Sequence, residues 1–295
     1  MLTYLPSLYD RFSQWKPERR VERLTLYTAM AGFIIHLLFI YVVNHVPAFE
    51  YLASGRDRSY LAAIYTPFSI LLFYEVFLLV VIIPSSTSAF VGKQFEIISL
   101  ITLRSFFHDI ADLNLSDSLT LQDPDFLKIG MDLGSALVMF GLTLTYYHFY
   151  PVAVAGESSL ERDRFIQVKK MVAMVMLLLL LGMSVRSFAA WASDLLNHLS
   201  FKTEIPHPDS FFFGEFFNVM IFADVFLLIF SLLYKASFEL LFRNACFVIT
   251  TILLRYSLHG EKPTAYLIIF FAFLFSISAQ ILFQFSLRSR QAGRL

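Results

Sequence analysis

Six apolar runs of the ~20 residues needed to cross a bilayer stand out along the chain, at 24–46, 66–90, 129–151, 171–193, 213–234 and 264–287. Two further apolar stretches, 94–112 and 238–258, carry Arg104 and Arg255, so each reads either as a further span or as a helix lying in the interface. Ahead of the first run, Leu5, Leu8, Phe12 and Trp15 recur at helical spacing, with Asp10, Arg11 and Lys16 on other faces. That pattern predicts an interfacial amphipathic helix, ended or kinked at Pro17. The apolar run follows a polar, Arg-rich stretch with no small-residue cleavage site, so no cleavable signal is expected.

Placement of positive charge chooses between the two readings. With eight spans and a cytoplasmic N-terminus, fifteen Lys and Arg fall inside and five outside, three more lying within helices. With 94–112 and 238–258 lying flat, the cluster from Arg162 to Lys170 is forced outside and the counts become twelve and ten. The positive-inside rule therefore predicts an all-α polytopic protein of about eight transmembrane helices, N-in and C-in, in the cell (inner) membrane. Its expected divisions are a cytoplasmic interfacial segment 1–23, a first four-helix unit 24–151, a basic linker 152–170, a second four-helix unit 171–287 and a tail 288–295.

Composition agrees with that class. Of 295 residues 57% are hydrophobic and 16% charged, with a mean hydropathy of +0.65, more apolar surface than a soluble domain can bury. Formal net charge is zero, which argues against nucleic acid as a partner. The lipid bilayer is the partner implied, and a homo-oligomer or a hetero-oligomeric membrane complex is compatible. A single cysteine, Cys246, excludes an intrachain disulfide and any multi-cysteine cluster; it reads as a small buried hydrophobe.

Two blocks recur in the same order in the two halves. Phe73 to Leu79 matches Phe222 to Leu228, aligning Glu75 with Asp224, and Ile98 to His108 matches Ile249 to His259 at five of eleven positions, among them Arg104 with Arg255 and His108 with His259. Apolar matches are common in membrane chains, so the charged pairs and histidines carry the weight of a tandem duplication. Four helices per half would give both units the same orientation.

At ~1.5 Å rise per residue Glu75 and Arg104 share a depth. Pairing would relieve the ~2.5–3.5 kcal/mol that each isolated charge costs in hydrocarbon, and Asp224 with Arg255 would repeat the arrangement. Such pairs either line an ion or proton pathway or latch neighbouring helices. His108, His259 and His45, with His198 and His207, fall toward the outer side and form a candidate cluster, although their spacing matches no metal-ligand motif. His36 and Arg186, inside spans, need partners, and Asp132 is a candidate. Gly130, Gly134 and Gly141 place small residues along one helix, where a second helix could approach. The stretch Pro84 to Ser88 reads as a kink or as an unwound segment presenting carbonyls. Glu75 and Glu96 give the first unit a faint likeness to a voltage-sensor bundle. The Arg/Lys ladder that defines that family is missing from 129–150, so it is not assigned.

No phosphate loop, dinucleotide fingerprint, zinc-protease or nucleophile-elbow motif occurs. The leading expectation is a channel or transporter for a small ion or proton, with no catalytic residue, cofactor or metal indicated. The rivals are a non-catalytic subunit packed against partners and contacting lipid or pigment, and an intramembrane enzyme or haem protein using the outer histidines.

Overall fold

The computed structural model describes residues 4–14, 17–46, 59–111, 124–149, 160–201, 213–232, 238–258 and 260–292. Among them are nine α-helices and no strand: α1 Tyr4–Gln14, α2 Pro17–His45, α3 Tyr65–Val81, α4 Thr87–Ala111, α5 Pro124–His148, α6 Leu160–Phe201, α7 Phe213–Leu232, α8 Phe238–Ser257 and α9 Lys262–Ala292. One turn of 3-10 helix, Tyr60–Ile64, leads into α3. Among the described residues, five segments are long and apolar enough to cross a membrane: Arg19–His45, Tyr60–Val81, Phe126–His148, Asp163–Ala190 and Lys262–Ser286. The sixth expected run, 213–234, forms α7, 20 residues long. The protein is thus a helical integral membrane protein.

Apolar side chains gather in two clusters, and α4 belongs to both. Phe90 and Ile97 join Leu72, Val76, Leu180, Phe216 and Met220 from α3, α6 and α7. Val91, Phe95 and Ile98, on the adjacent face of α4, join Met139, Tyr146, Phe247 and Phe273 from α5, α8 and α9. Phe95 stacks on Phe273 with ring centroids 3.7 Å apart, and Tyr146 meets Phe95 edge-on. By contrast α2 turns Ile34, Ile35, Leu38 and Tyr41 outward, as suits a helix bathed in lipid. Sequential helices pack as neighbours in both halves, and α4 meets α8 and α5 meets α9 across them.

Several expected boundaries and contacts are corrected. The run 66–90 is not one helix. It breaks at 82–86, where Pro84 sits in a turn, so α3 stops at Val81 and α4 starts at Thr87. Other helices bind carbonyls at and beside the break: Tyr9 donates to Val81 O at 2.7 Å, Lys169 to Ser85 O at 2.9 Å and, in the first turn of α4, Tyr146 to Ser88 O at 2.9 Å. As expected, α1 ends ahead of Pro17, and Pro17 itself opens α2, a position where its missing N–H costs nothing. The amphipathic α1 lies on protein: Tyr9 is buried, Phe12 meets Phe77 edge-on and Asp10 pairs with Lys170 at 2.7 Å, while Leu8 stays exposed. Within the expected linker 152–170, residues from Leu160 onward are the first turns of α6, a 42-residue helix.

The glycines of α5 do not receive a helix. A Cβ built on Gly130, Gly134 or Gly141 would meet nothing within 4 Å, whereas one on Gly92 of α4 would lie 2.9 Å from the Tyr147 ring. Close approach between α4 and α5 therefore depends on Gly92.

Candidate functional site

Asp224 sits midway along α7 and Arg255 near the end of α8. The structure brings them together: Arg255 Nη1 lies 2.6 Å from Asp224 Oδ2, with the side chains 3% and 4% exposed. The contact is a close, charge-assisted pair between the two side chains. Thr251, one turn before Arg255, adds its hydroxyl beside the carboxylate. Two charges so deep would each be costly alone, and proximity offsets much of that cost. Because α7 supplies the first apolar cluster and α8 the second, the pair joins one to the other.

Small cavities flank it. On the Asp224 side a cavity of about 50 Å³ is walled by Phe90, Phe165, Phe247, Leu227 and Val248, with Thr87, Lys169, Asn244 and Thr251 as its other polar groups. Space of that size holds a few waters at the roughly 10–15 Å³ each requires. On the Arg255 side a cavity of about 10 Å³ lies among Leu79, Gln94, Ile97, Phe217 and Leu254. The buried Gln94 amide nitrogen there has no hydrogen-bond partner among the described residues.

Glu75 and Arg104, which the sequence blocks align with Asp224 and Arg255, are half-buried on α3 and α4 and are not in ion-pair contact. Glu75 lies within the electrostatic reach of Arg104 first and Lys93 second. Lys93 is bound elsewhere, 2.5 Å from Glu96, whose other oxygen accepts the Tyr147 hydroxyl at 2.6 Å.

His36 and Asp132 find partners other than those expected, and Arg186 points outward. His36 Nδ1 meets Thr66 Oγ1 at 2.6 Å. Asp132, fully buried, does not serve His36 or Arg186. It accepts the Tyr266 hydroxyl at 2.5 Å and Lys262 Nζ at 3.1 Å, and Lys262 also lies 2.5 Å from Asp109. This knot ties the end of α4 to the starts of α5 and α9. Arg186 is exposed on α6.

Of the five histidines expected on the outer side, only His45 has a described side chain. His45 stays on its own helix, with Nδ1 2.9 Å from Tyr41 O and its ring stacked on Tyr41. His108 lies on α4 with its side chain outside the described set, as does that of His198 on α6, while His207 and His259 lie outside the described residues altogether. No group of three His, Cys, Asp or Glu suited to a metal occurs among the described residues, and Cys246 is free and buried.

The residue that sequence reading passed over is Lys169. It was one of a basic run, yet the helical register aligns it with Ala173, Met176, Leu177 and Leu180, all buried, and that periodicity was a usable signal. Comparison with protein-family models, with curated proteins and with solved structures finds no match for the chain.

Proposed function

We propose that the chain is a membrane transport protein, a channel or carrier for a small ion or proton, whose pathway passes Asp224 and Arg255. The observation that carries the reading is a buried ion pair with a cavity on each side, set between the two apolar clusters of the bundle. Intramembrane charges that line cavities are characteristic of ion pathways. A latch alone would not need space beside it. Glu75 and Arg104 hold the corresponding places in the first half.

The proposed topology has α2 to α9 crossing the membrane, both termini cytoplasmic, as two four-helix units of like orientation. Three observations support it. Helices α4 and α8 are 25 and 20 residues long. They pack in the interior against each other and their sequence neighbours, which does not suit helices lying flat in an interface. The pairing of consecutive helices is the same in both halves, as a tandem duplication requires.

Ion flux into liposomes containing the purified protein tests the reading, with wild type compared against Asp224→Asn and Glu75→Gln. Loss of flux or altered selectivity in folded variants is expected. Absence of flux for every ion tried, with folded wild type, would reject transport in favour of a subunit that works only with partners.

A further inference from the structure

The geometry points to a binding site for a small monovalent inorganic anion in the cavity between α4, α6, α7 and α8, with Lys169 as its cation. The inference deepens the transport reading, and rests on it only for the statement that this anion is what crosses.

Lys169 is 7% exposed and lines the cavity. Its ammonium has three donors. One goes to Ser85 O at 2.9 Å, and the Phe165 ring lies 5.0 Å away. No carboxylate lies within ion-pair distance of it among the described residues. A cation this deep without a counter-charge is costly, and the cost is relieved by an anion entering the adjacent space.

The remaining wall suits the same charge. Thr87 is the first residue of α4, a 25-residue helix capped by the Ser86 hydroxyl, which accepts from the Ala89 N–H at 3.1 Å. The helix thus presents the positive end of its dipole to the cavity. Asn244 supplies an amide, and the charge of the neighbouring Arg243 reaches Lys169. Asp224 is the one carboxylate in the wall, and its charge is met by Arg255 at 2.6 Å. Positive potential, few polar groups and room for only a few waters favour a compact, weakly hydrated anion such as bromide or nitrate over a large organic one.

The test uses the full chain in uncharged detergent, melted in sodium gluconate with increasing sodium bromide. A thiol-reactive fluorogenic dye reads unfolding through exposure of the buried Cys246, the single thiol of the protein. A saturable rise of several degrees in the midpoint is expected, retained in Lys169→Arg, lost in Lys169→Gln and weakened in Asn244→Leu. The last variant keeps the test decisive should Lys169→Gln fail to fold. A wild-type protein with no saturable rise, or a rise equal in Lys169→Gln and Asn244→Leu, overturns the site. So does phosphatidylglycerol that itself stabilises through Lys169 and abolishes the bromide effect, because the occupant is then a lipid phosphate. Cation flux without any bromide effect overturns the anion site and leaves transport standing. Bromide binding through Lys169 with no ion flux upholds the site and overturns the statement that the anion crosses.

Discussion

The interior ion pair poses a question at the scale of single residues, because a latch and a pathway make different demands on the same atoms. Removing one partner of a buried pair strands the other and costs about 3–5 kcal/mol, whereas replacing both by apolar groups of similar volume is often neutral. Asp224→Leu and Arg255→Met are therefore each expected to destabilise the protein by about that amount, and the double variant to recover most of it, read by unfolding in detergent. If the losses simply add, the 2.6 Å contact is not energetically coupled. The recovered double variant also separates the roles: a stable protein without flux places the charges in the pathway, and one with wild-type flux makes them a latch. The sequence exposed this pair because charges are rare in apolar runs and two charged positions align with Glu75 and Arg104 in the matching blocks. It hid the knot of Asp109, Asp132, Lys262 and Tyr266, whose members lie far apart in the chain and two of which read as ordinary helix-end charges.

At the scale of helices, hydropathy located every long apolar element but not every end. The break at 82–86 was invisible because Ile82, Ile83, Phe90 and Val91 keep the run apolar on both sides, and burial does not require a continuous helix. Periodicity also marked the wrong glycines. Those of α5 face open space, while Gly92 lies beneath the Tyr147 ring, 2.9 Å from where a Cβ would stand. Helix propensity favours alanine over glycine by ~1 kcal/mol, so Gly134→Ala and Gly141→Ala are expected to leave stability unchanged or slightly raised. Gly92→Ala must displace Tyr147 and forfeit its 2.6 Å hydrogen bond to Glu96, a bond to a charged group worth ~1.5–3 kcal/mol. Its net effect is a loss of roughly 1–2 kcal/mol. In a Tyr147→Leu background, where that hydroxyl is gone, the same Gly92→Ala change should become neutral or favourable. A loss that persists in that background would show that the backbone of α5, rather than the ring, sets the limit.

For the whole molecule, the arrangement of helices across the membrane is what gives each site a side. An eight-span chain with its N-terminus inside places the start of α1 and the end of α9 in the cytoplasm, and the segment between α8 and α9 outside. The cavity holding Lys169 then opens toward the cytoplasmic half, and the Asp132–Lys262 knot closes the outer end. Since Cys246 is the sole cysteine and is buried, Cys246→Ser provides a thiol-free background with little disturbance to packing. Ser13, Gly260 and Ser289 are exposed positions on α1, between α8 and α9, and on the last turns of α9. A cysteine at Gly260 should react with a membrane-impermeant maleimide in intact cells, while cysteines at Ser13 and Ser289 should react only after permeabilisation. The reverse pattern would invert the protein and turn the Lys169 cavity outward. Reaction of cysteines at Ser13 and Ser289 on opposite sides would require an odd number of spans, which excludes two four-helix units of like orientation. The positive charges favour the first result, because that orientation puts fifteen Lys and Arg inside and five outside.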